Sequence, residues 1–333
     1  MIALGIESTA HTAGVGVIDS GVQGPGSVLV NLTSSYSPAS GGIHPREAAV
    51  HHGQALPGLI GDALEALGDQ GLGGKDIGLV AFSRGPGLGP CLRTGAVAAR
   101  ALSVSLGVPI IGVNHCVAHL EIGMRLFPGC SDPVLLYASG GNTQVIAFTA
   151  GRYRVFGETL DIGAGNMLDK FARESGIPFP GGPRIEDLAS RGSRYIPLPY
   201  SVKGMDMAFS GILTAALAIR KKERMEDICM SLQETVFSML VEVTERAVAH
   251  TGKGSVLLGG GVACNRRLAS MVSSMASERG IDFYLPPASL CVDNGAMIAN
   301  LGAMMHSAGL SCGMEDTGVR QRFRTDEVEV CWR

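Results

Sequence analysis

The sequence contains no CxxC pair, no HExxH, no GxxxxGK[ST] and no GxGxxG, and each absence closes off a chemistry. Its eight cysteines, Cys91, Cys116, Cys130, Cys229, Cys264, Cys291, Cys312 and Cys331, show no paired short spacing. That excludes a zinc ribbon, and a chain of 333 residues needs no disulfide framework, so reduced thiols are expected. Where a zinc peptidase carries its catalytic glutamate beside the first histidine, this chain has Cys116, and the nearest acid, Glu121, lies beyond the second histidine. Peptidase chemistry is unsupported. Charge is also scarce: Asp, Glu, Lys and Arg supply 17%, against about 25% in ordinary domains. A net charge of −3 and a pI near 6.2 exclude a uniformly basic nucleic-acid coat but not a local basic patch. The opening MIALGIESTA lacks a basic n-region, so no secretory signal is expected. One stretch, residues 294–314, is uncharged and long enough to cross a bilayer. Its Asn294, Asn300, His306 and glycines predict a packed core helix instead. A protein of the cytoplasm, with no membrane partner, is the expectation.

Apolar residues and glycine are what the chain has in quantity. A hydrophobic fraction of 46% and a mean hydropathy of +0.24 exclude disorder over most of the length. Glycine numbers 47, about twice the usual share of roughly 7%. It shows no collagen period and clusters after apolar runs, where backbone must approach a ligand closely. The length suggests two domains.

Residues 2–6 are apolar, Glu7-Ser8-Thr9 are small and polar, and residues 13–18 are apolar again, which predicts a hairpin. The pattern recurs with residues 134–137, then Ser139-Gly140-Gly141-Asn142-Thr143, then residues 144–148. Two structurally related halves follow, with residues 127–133 as the hinge between them. Strands over 79–82, 109–113 and 255–258 alternate with helices over 95–106 and 227–250, pointing to α/β layers with ligands at strand ends. The charged tail, residues 320–333, reads as a loosely packed strand or arm.

His115 and His119 are four residues apart after a strand, so a helix places both imidazoles on one face as a two-point metal clamp. Asp293, a lone acid in a small-residue loop, is the candidate third ligand or else a simple helix N-cap. The Ser139-Gly140-Gly141-Asn142 loop offers backbone N–H groups to an anion. Gly259-Gly260-Gly261 leaves a strand and opens a helix, with Asn265 free to reach a ribose or base. Placed in related halves, the two glycine loops are expected to face one cleft. Asp169 and Glu186 follow glycines in helical stretches; they fit ribose hydroxyls or, alternatively, helix N-termini. Arg220, Lys221, Lys222 and Arg224, with Arg84, Arg93 and Lys203, matter only for a polyanionic substrate.

Taken in order, LGIESTAHTAGVGV, GGIHPREAA, SRGPGLGPCLRTG, NHCVAHLE, YASGGNTQV, GETLDIGAGNMLDKFAR, GGPRIEDLA, MAFSGI, LGGGVACNRRL and VDNGAMIA cover nearly the whole chain. They resemble the tRNA N(6)-adenosine threonylcarbamoyltransferases, catalytic subunits of the KEOPS complex. The Ser8-Thr9-Ala10-His11-Thr12 segment is similar to the archaeal and eukaryotic branch, in the form not fused to a kinase. Cys264 and Val292 fall at variable spots of these motifs. The resemblance implies an α/β fold of the actin/Hsp70/sugar-kinase kind, with two repeat-related lobes (1–128 and 129–333) around a nucleotide-binding cleft. It implies His115, His119, Tyr137 and Asp293 as ligands of one divalent metal, iron before zinc or manganese. It also implies Tyr137, Ala138, Ser139, Gly140, Gly141, Asp169, Gly182, Glu186 and Asn265 as the residues that hold threonylcarbamoyl-AMP, an ATP/AMP-type nucleotide occupying the cleft. The implied acceptor is N(6) of the adenosine 3′ of the anticodon, in tRNAs reading codons that begin with adenine. Partners are tRNA, a small atypical kinase and small accessory proteins of the complex. His11 is the candidate proton acceptor. A small-molecule phosphotransferase and a non-catalytic nucleotide-dependent scaffold are the rival readings.

Overall fold

The computed structural model describes residues 1–38 and 42–333. The chain divides into two compact units: residues 1–129, 151–153 and 293–333 form the first, residues 130–150 and 154–292 the second. The boundary after Gly129 lies where the proline- and glycine-rich hinge was expected. The single cut into 1–128 and 129–333 does not hold, because the last 41 residues return to the first unit.

In the first unit, β1 (Ile2–Glu7), β2 (Thr12–Asp19) and β3 (Val28–Ser35) form an antiparallel meander. Helix α1 (Pro45–Gly68) leads to β4 (Ile77–Gly85), α2 (Gly89–Leu106), β5 (Ile110–Asn114) and α3 (His115–Leu126). Strands β4 and β5 join parallel to β1, giving the order β3-β2-β1-β4-β5. The apolar runs read as strands are buried here on both faces, as a sheet covered by helices requires.

The second unit carries β6 (Val134–Ala138), β7 (Thr143–Thr149) and β8 (Arg152–Glu158), then α4 (Ala164–Glu174) and α5 (Gly181–Ala189). A two-stranded hairpin of β9 (Val202–Lys203) and β10 (Asp206–Met207) follows, then α6 (Ser210–Ile219), α7 (Met225–Thr251), β11 (Ser255–Gly259), α8 (Arg266–Arg279), β12 (Asp282–Tyr284) and α9 (Ala288–Cys291). Its main sheet is ordered β8-β7-β6-β11-β12, with β6 and β7 antiparallel and β11 parallel to both β6 and β12. Strand for strand, this is the topology of the first unit. The recurrence seen as strand–turn–strand is therefore a repeat of the whole sheet.

Helix α10 (Gly295–Ser307) covers the uncharged stretch and is a core helix, as expected. It packs on β1 and β2 without intervening side chains. A Cβ at Gly5 would lie 2.3 Å from Ala299 N, and one at Gly16 2.1 Å from Ala296 N, so only glycine permits this backbone-to-backbone approach. This packing assigns residues 293–333 to the first unit, against the expected boundary. The tail also differs from expectation. Residues 320–333 form no strand and are anchored: Asn114 Nδ2 donates to Phe323 O at 3.1 Å, and Trp332 Nε1 donates to buried Glu121 at 2.8 Å. No helix among the described residues is long and apolar enough to cross a membrane.

Candidate metal centre and glycine loops

Asn114, the last residue of β5, ends the strand and caps the next helix, its side-chain oxygen accepting from Cys116 N at 2.9 Å and Val117 N at 3.1 Å. Helix α3 thus begins at His115, and the four-residue spacing puts His119 beside it, with ring centroids 4.8 Å apart and nearly perpendicular. Asp293 stands two residues before α10. It is not that helix's cap: Asn294 is, accepting from Met297 N at 3.0 Å, so the bland reading of Asp293 fails. One Asp293 oxygen stands 3.4 Å from His115 Nε2 and 3.4 Å from His119 Nε2. A tetrahedral ion with bonds of about 2.1 Å separates its ligands by roughly 3.4 Å. The three donor atoms lie within 4.8 Å of one another, all on the first unit.

Glu7 completes this centre and was missed in the sequence reading. Fully buried at the end of β1, it faces His115 Nδ1 with Oε2 at 3.0 Å, while its Oε1 accepts from Thr9 N at 2.6 Å. A carboxylate at Nδ1 orients the ring and, with a cation bound, would keep the proton on that side and leave Nε2 free to ligate. The donor set and its orientation therefore fit a divalent cation that accepts nitrogen and oxygen ligands. Burial opposes charge on Asp293, but the two imidazoles outweigh it and hold the carboxyl well below its ordinary range. Burial likewise pushes the His119 imidazole down, keeping it neutral and able to ligate. The one available sequence signal for Glu7 was an acid in a turn leaving an all-apolar strand.

The anion loops belong to the second unit. Ser139 N donates to Asn142 O at 2.8 Å and Ser139 Oγ bonds back to the same residue, closing a tight turn that leaves Gly140 and Gly141 exposed. Behind it, Gly165 N and Asn166 N of α4 donate to Ser139 O and Gly140 O. A Cβ on Gly260 would meet Ala138 O at 2.4 Å, so the turn after β11 lies against the end of β6. Both glycine loops therefore sit at neighbouring strand ends of one unit, not in two related halves as expected.

Three expected ligands have partners of their own. Asn265 is not free: its oxygen caps α8, accepting from Arg267 N at 2.9 Å, and its amide donates to Gln233 Oε1 at 2.9 Å. Asp169 Oδ1 accepts from Gly181 N, the first residue of α5, at 2.8 Å. Glu186 Oε1 accepts from Arg266 N, the first residue of α8, at 3.1 Å and from Arg266 Nε at 2.9 Å. Both acids thus serve helix N-termini, though not those of their own helices. Gly182, the second residue of α5, has space where a Cβ would stand, and Ala138 and Tyr137 end β6, Tyr137 buried. His11 lies half-buried in the first hairpin turn. Of the basic candidates, Arg84 is engaged by Gly318 O and Asp316 O at 2.9 and 2.8 Å, whereas Arg93, Lys203, Lys221 and Lys222 are exposed.

Comparison with known proteins matches residues 27–300 to the family model described as tRNA N6-adenosine threonylcarbamoyltransferase. The chain belongs to that family. It is 58% identical over its whole length, and the whole of the other chain, to the tRNA N6-adenosine threonylcarbamoyltransferase of Thermococcus kodakarensis. It is 60% identical to the "Probable bifunctional tRNA threonylcarbamoyladenosine biosynthesis protein" of Methanothermobacter thermautotrophicus, of whose length it spans 61%. Among solved structures, HypF of T. kodakarensis aligns with a TM-score of 0.64 at 14% identity, over 91% of this chain and 47% of that one. The fold is of the actin/Hsp70/sugar-kinase-like class.

Proposed function

We propose that this chain is a tRNA-modifying transferase that places a threonylcarbamoyl group on N(6) of adenosine, with threonylcarbamoyl-AMP as donor. The acceptor in this reading is the adenosine 3′ of the anticodon in tRNAs reading codons that begin with adenine. The observation that carries it is the His115–His119–Asp293 cluster, its imidazoles buried and His115 oriented by Glu7, in a chain of this family.

An exocyclic amine is a poor nucleophile, because its lone pair is delocalised into the purine, so the acyl group must arrive activated as a mixed anhydride with AMP. A divalent cation held by His115, His119 and Asp293 supplies Lewis acidity toward carbonyl or phosphate oxygens; iron is our assignment, with zinc and manganese as the alternatives a nitrogen–oxygen donor set accepts. Tyr137 as a further ligand rests on the family resemblance alone. Exposed Gly140 and Gly141 offer backbone donors to a phosphate. Asp169, Gly182, Glu186 and Asn265 line the proposed adenylate site with Ala138 and Ser139. Because the Asn265, Asp169 and Glu186 side chains already have partners, their role is to shape these loops as much as to touch the ligand. His11 is our candidate to take the amine proton. With a net charge of −3, tRNA binding by the chain alone is expected to be weak and steeply salt-dependent. Partner proteins of the KEOPS type, including a small kinase, are proposed to supply the missing basic surface, in the cytoplasm.

The test is direct. The metal-loaded chain, threonylcarbamoyl-AMP, unmodified tRNA and the kinase partner are incubated and the nucleosides analysed by mass spectrometry. Threonylcarbamoyladenosine is expected, and its absence overturns the reading. His115→Ala with His119→Ala is expected to abolish both metal content and transfer. Full turnover without bound metal overturns the metal-dependent form of the mechanism. Steady ATP consumption with a free sugar would favour the phosphotransferase reading instead.

A further inference from the structure

The motif SRGPGLGPCLRTG carries glycines that neither the metal centre nor the anion loops use. What they accommodate is the chain itself. A Cβ at Gly85 would lie 1.9 Å from Arg320 O, and one at Gly87 2.6 Å from Thr9 O. The backbone bonds run the same way. Arg320 N donates to Arg84 O at 2.8 Å, Gly87 N to Gln321 O at 3.2 Å, and Leu88 N to Thr9 O at 2.7 Å. The loop between β4 and α2 is thus pressed between the tail and the turn that follows Glu7.

From that loop the tail crosses to α3 and holds it at two points. Asn114, whose oxygen caps the helix, donates through Nδ2 to Phe323 O at 3.1 Å. Further along, buried Glu121 accepts from Trp332 Nε1 at 2.8 Å and from the Tyr153 hydroxyl, with Arg333 Nε 3.6 Å away. Two residues after His119, Glu121 is turned about 200° from it around the helix axis. The tail therefore grips the back of the helix whose front presents both imidazoles. We propose that Trp332 is a positioning residue for the metal centre: through Glu121 it sets the rotation of α3, and so the placing of His115 and His119 against Asp293.

The demand on rotation is strict. A side-chain tip at a radius of about 5–6 Å moves roughly 1 Å when its helix turns by about 10°. Metal–ligand distances tolerate about 0.2 Å. The Asn114 cap holds the start of α3, and an attachment on the opposite face resists turning about the axis. Glu121 is suited to that task because a buried carboxylate is costly without donors. A rotation that withdraws it from Trp332 and Tyr153 is therefore penalised. The hold on α3 stands on the hydrogen bonds alone; its effect on metal affinity rests on the proposed reading of His115, His119 and Asp293 as ligands.

The experiment compares the full chain with Trp332→Phe, which keeps an aromatic ring and removes the indole N–H. Both are loaded with cobalt(II) as a divalent probe, and His115→Ala with His119→Ala gives the blank for cobalt held elsewhere. Competition with a chelator is expected to show about tenfold weaker binding in Trp332→Phe, the low end for losing a partner outside the ligands. The visible absorption of the bound cobalt, which depends on how its ligands are arranged, is expected to change as well. Wild-type affinity and spectrum in the variant overturn the proposal, and a lower urea midpoint alongside them would make the indole an ordinary stabilising contact. Amide exchange without metal is the second readout. The amides of α3 are expected to exchange faster in Trp332→Phe, and equal rates overturn the hold itself. If the wild type takes up no more cobalt than the blank, the metal reading fails, while amide exchange still decides whether Trp332 holds α3.

Discussion

The two units share a strand order and use it in opposite ways. In the first, the turn between β1 and β2 begins at an acid, Glu7, which is buried and aimed at an imidazole. In the second, the corresponding turn between β6 and β7 is Ser139 to Asn142, with two exposed glycines and no charge. On the proposed reading, one topology yields a cation centre in one copy and an anion cradle in the other. The covering helices differ in the same sense. Helix α10 lies backbone to backbone on β1 and β2 through Gly5, Gly16 and Gly295, whereas α7 meets its core through Phe237, Leu240 and Val243. The glycine contact leaves no room for a Cβ between α10 and the strands, so the start of α10, two residues after Asp293, is held by backbone against backbone; an interdigitated contact leaves side chains room to adjust.

The largest effect that should break this comparison comes from a single methyl. Gly16→Ala puts a carbon 2.1 Å from Ala296 N and 2.5 Å from Gly295 C, both backbone atoms of α10 that cannot rotate away. We expect a loss of about 3 kcal/mol or more together with loss of the metal, read by urea denaturation and metal analysis. In the second unit, Leu258→Ala should cost about 2–5 kcal/mol as a cavity but leave metal content unchanged. If Gly16→Ala kept full metal occupancy, α10 would not be what places Asp293.

Acid should separate the units next. The first unit buries His52, and burial, with the nearby His51 and His11, pushes its imidazole down to about 4 from 6.5. Among the described residues, the buried polar groups of the second unit include no histidine. His52 is thus neutral in the fold and binds a proton more readily once unfolded. Its stabilising contribution is complete above pH 6.5 and is lost as the pH falls from there toward 4. The loss amounts to roughly 3 kcal/mol at most. Urea midpoints measured across that range should fall for the wild type and flatten in His52→Gln. An unchanged slope in the variant would show that His52 does not carry the effect.

Much of this was legible beforehand, and the rest failed for definable reasons. Apolar runs ending in small polar turns identify both hairpins, because strand period and turn chemistry are local properties. His115 and His119 were readable as a pair because helical spacing alone places them together. Asp293 needed the family resemblance, since nothing local distinguishes it from a cap; the structure shows the cap to be its neighbour, Asn294. Assigning residues 293–333 to the second lobe failed because α10's home is set by the glycines of β1 and β2, almost 280 residues earlier. Asn265 was misjudged as free for the converse reason. Preceding a helix, it obeys the ordinary preference of asparagine for the N-cap.

The smallest of these effects bears most directly on the two turns. Glu7→Gln keeps the shape of the side chain and removes its charge, so the amide nitrogen or oxygen facing His115 Nδ1 no longer enforces one tautomer. Loss of such an outer carboxylate typically weakens metal affinity by about 10- to 100-fold. Competition with a chelator should show that drop while the urea midpoint of the second unit stays unchanged. Gly141→Ala is the matching change in the other turn: a Cβ there meets nothing within 4 Å, so folding should be unaffected and metal affinity intact, while adenylate binding weakens. Were Glu7→Gln to bind metal as tightly as the wild type, the carboxylate would be a structural acid holding Thr9, and the division of labour between the turns would lie in Asp293 and the histidines alone.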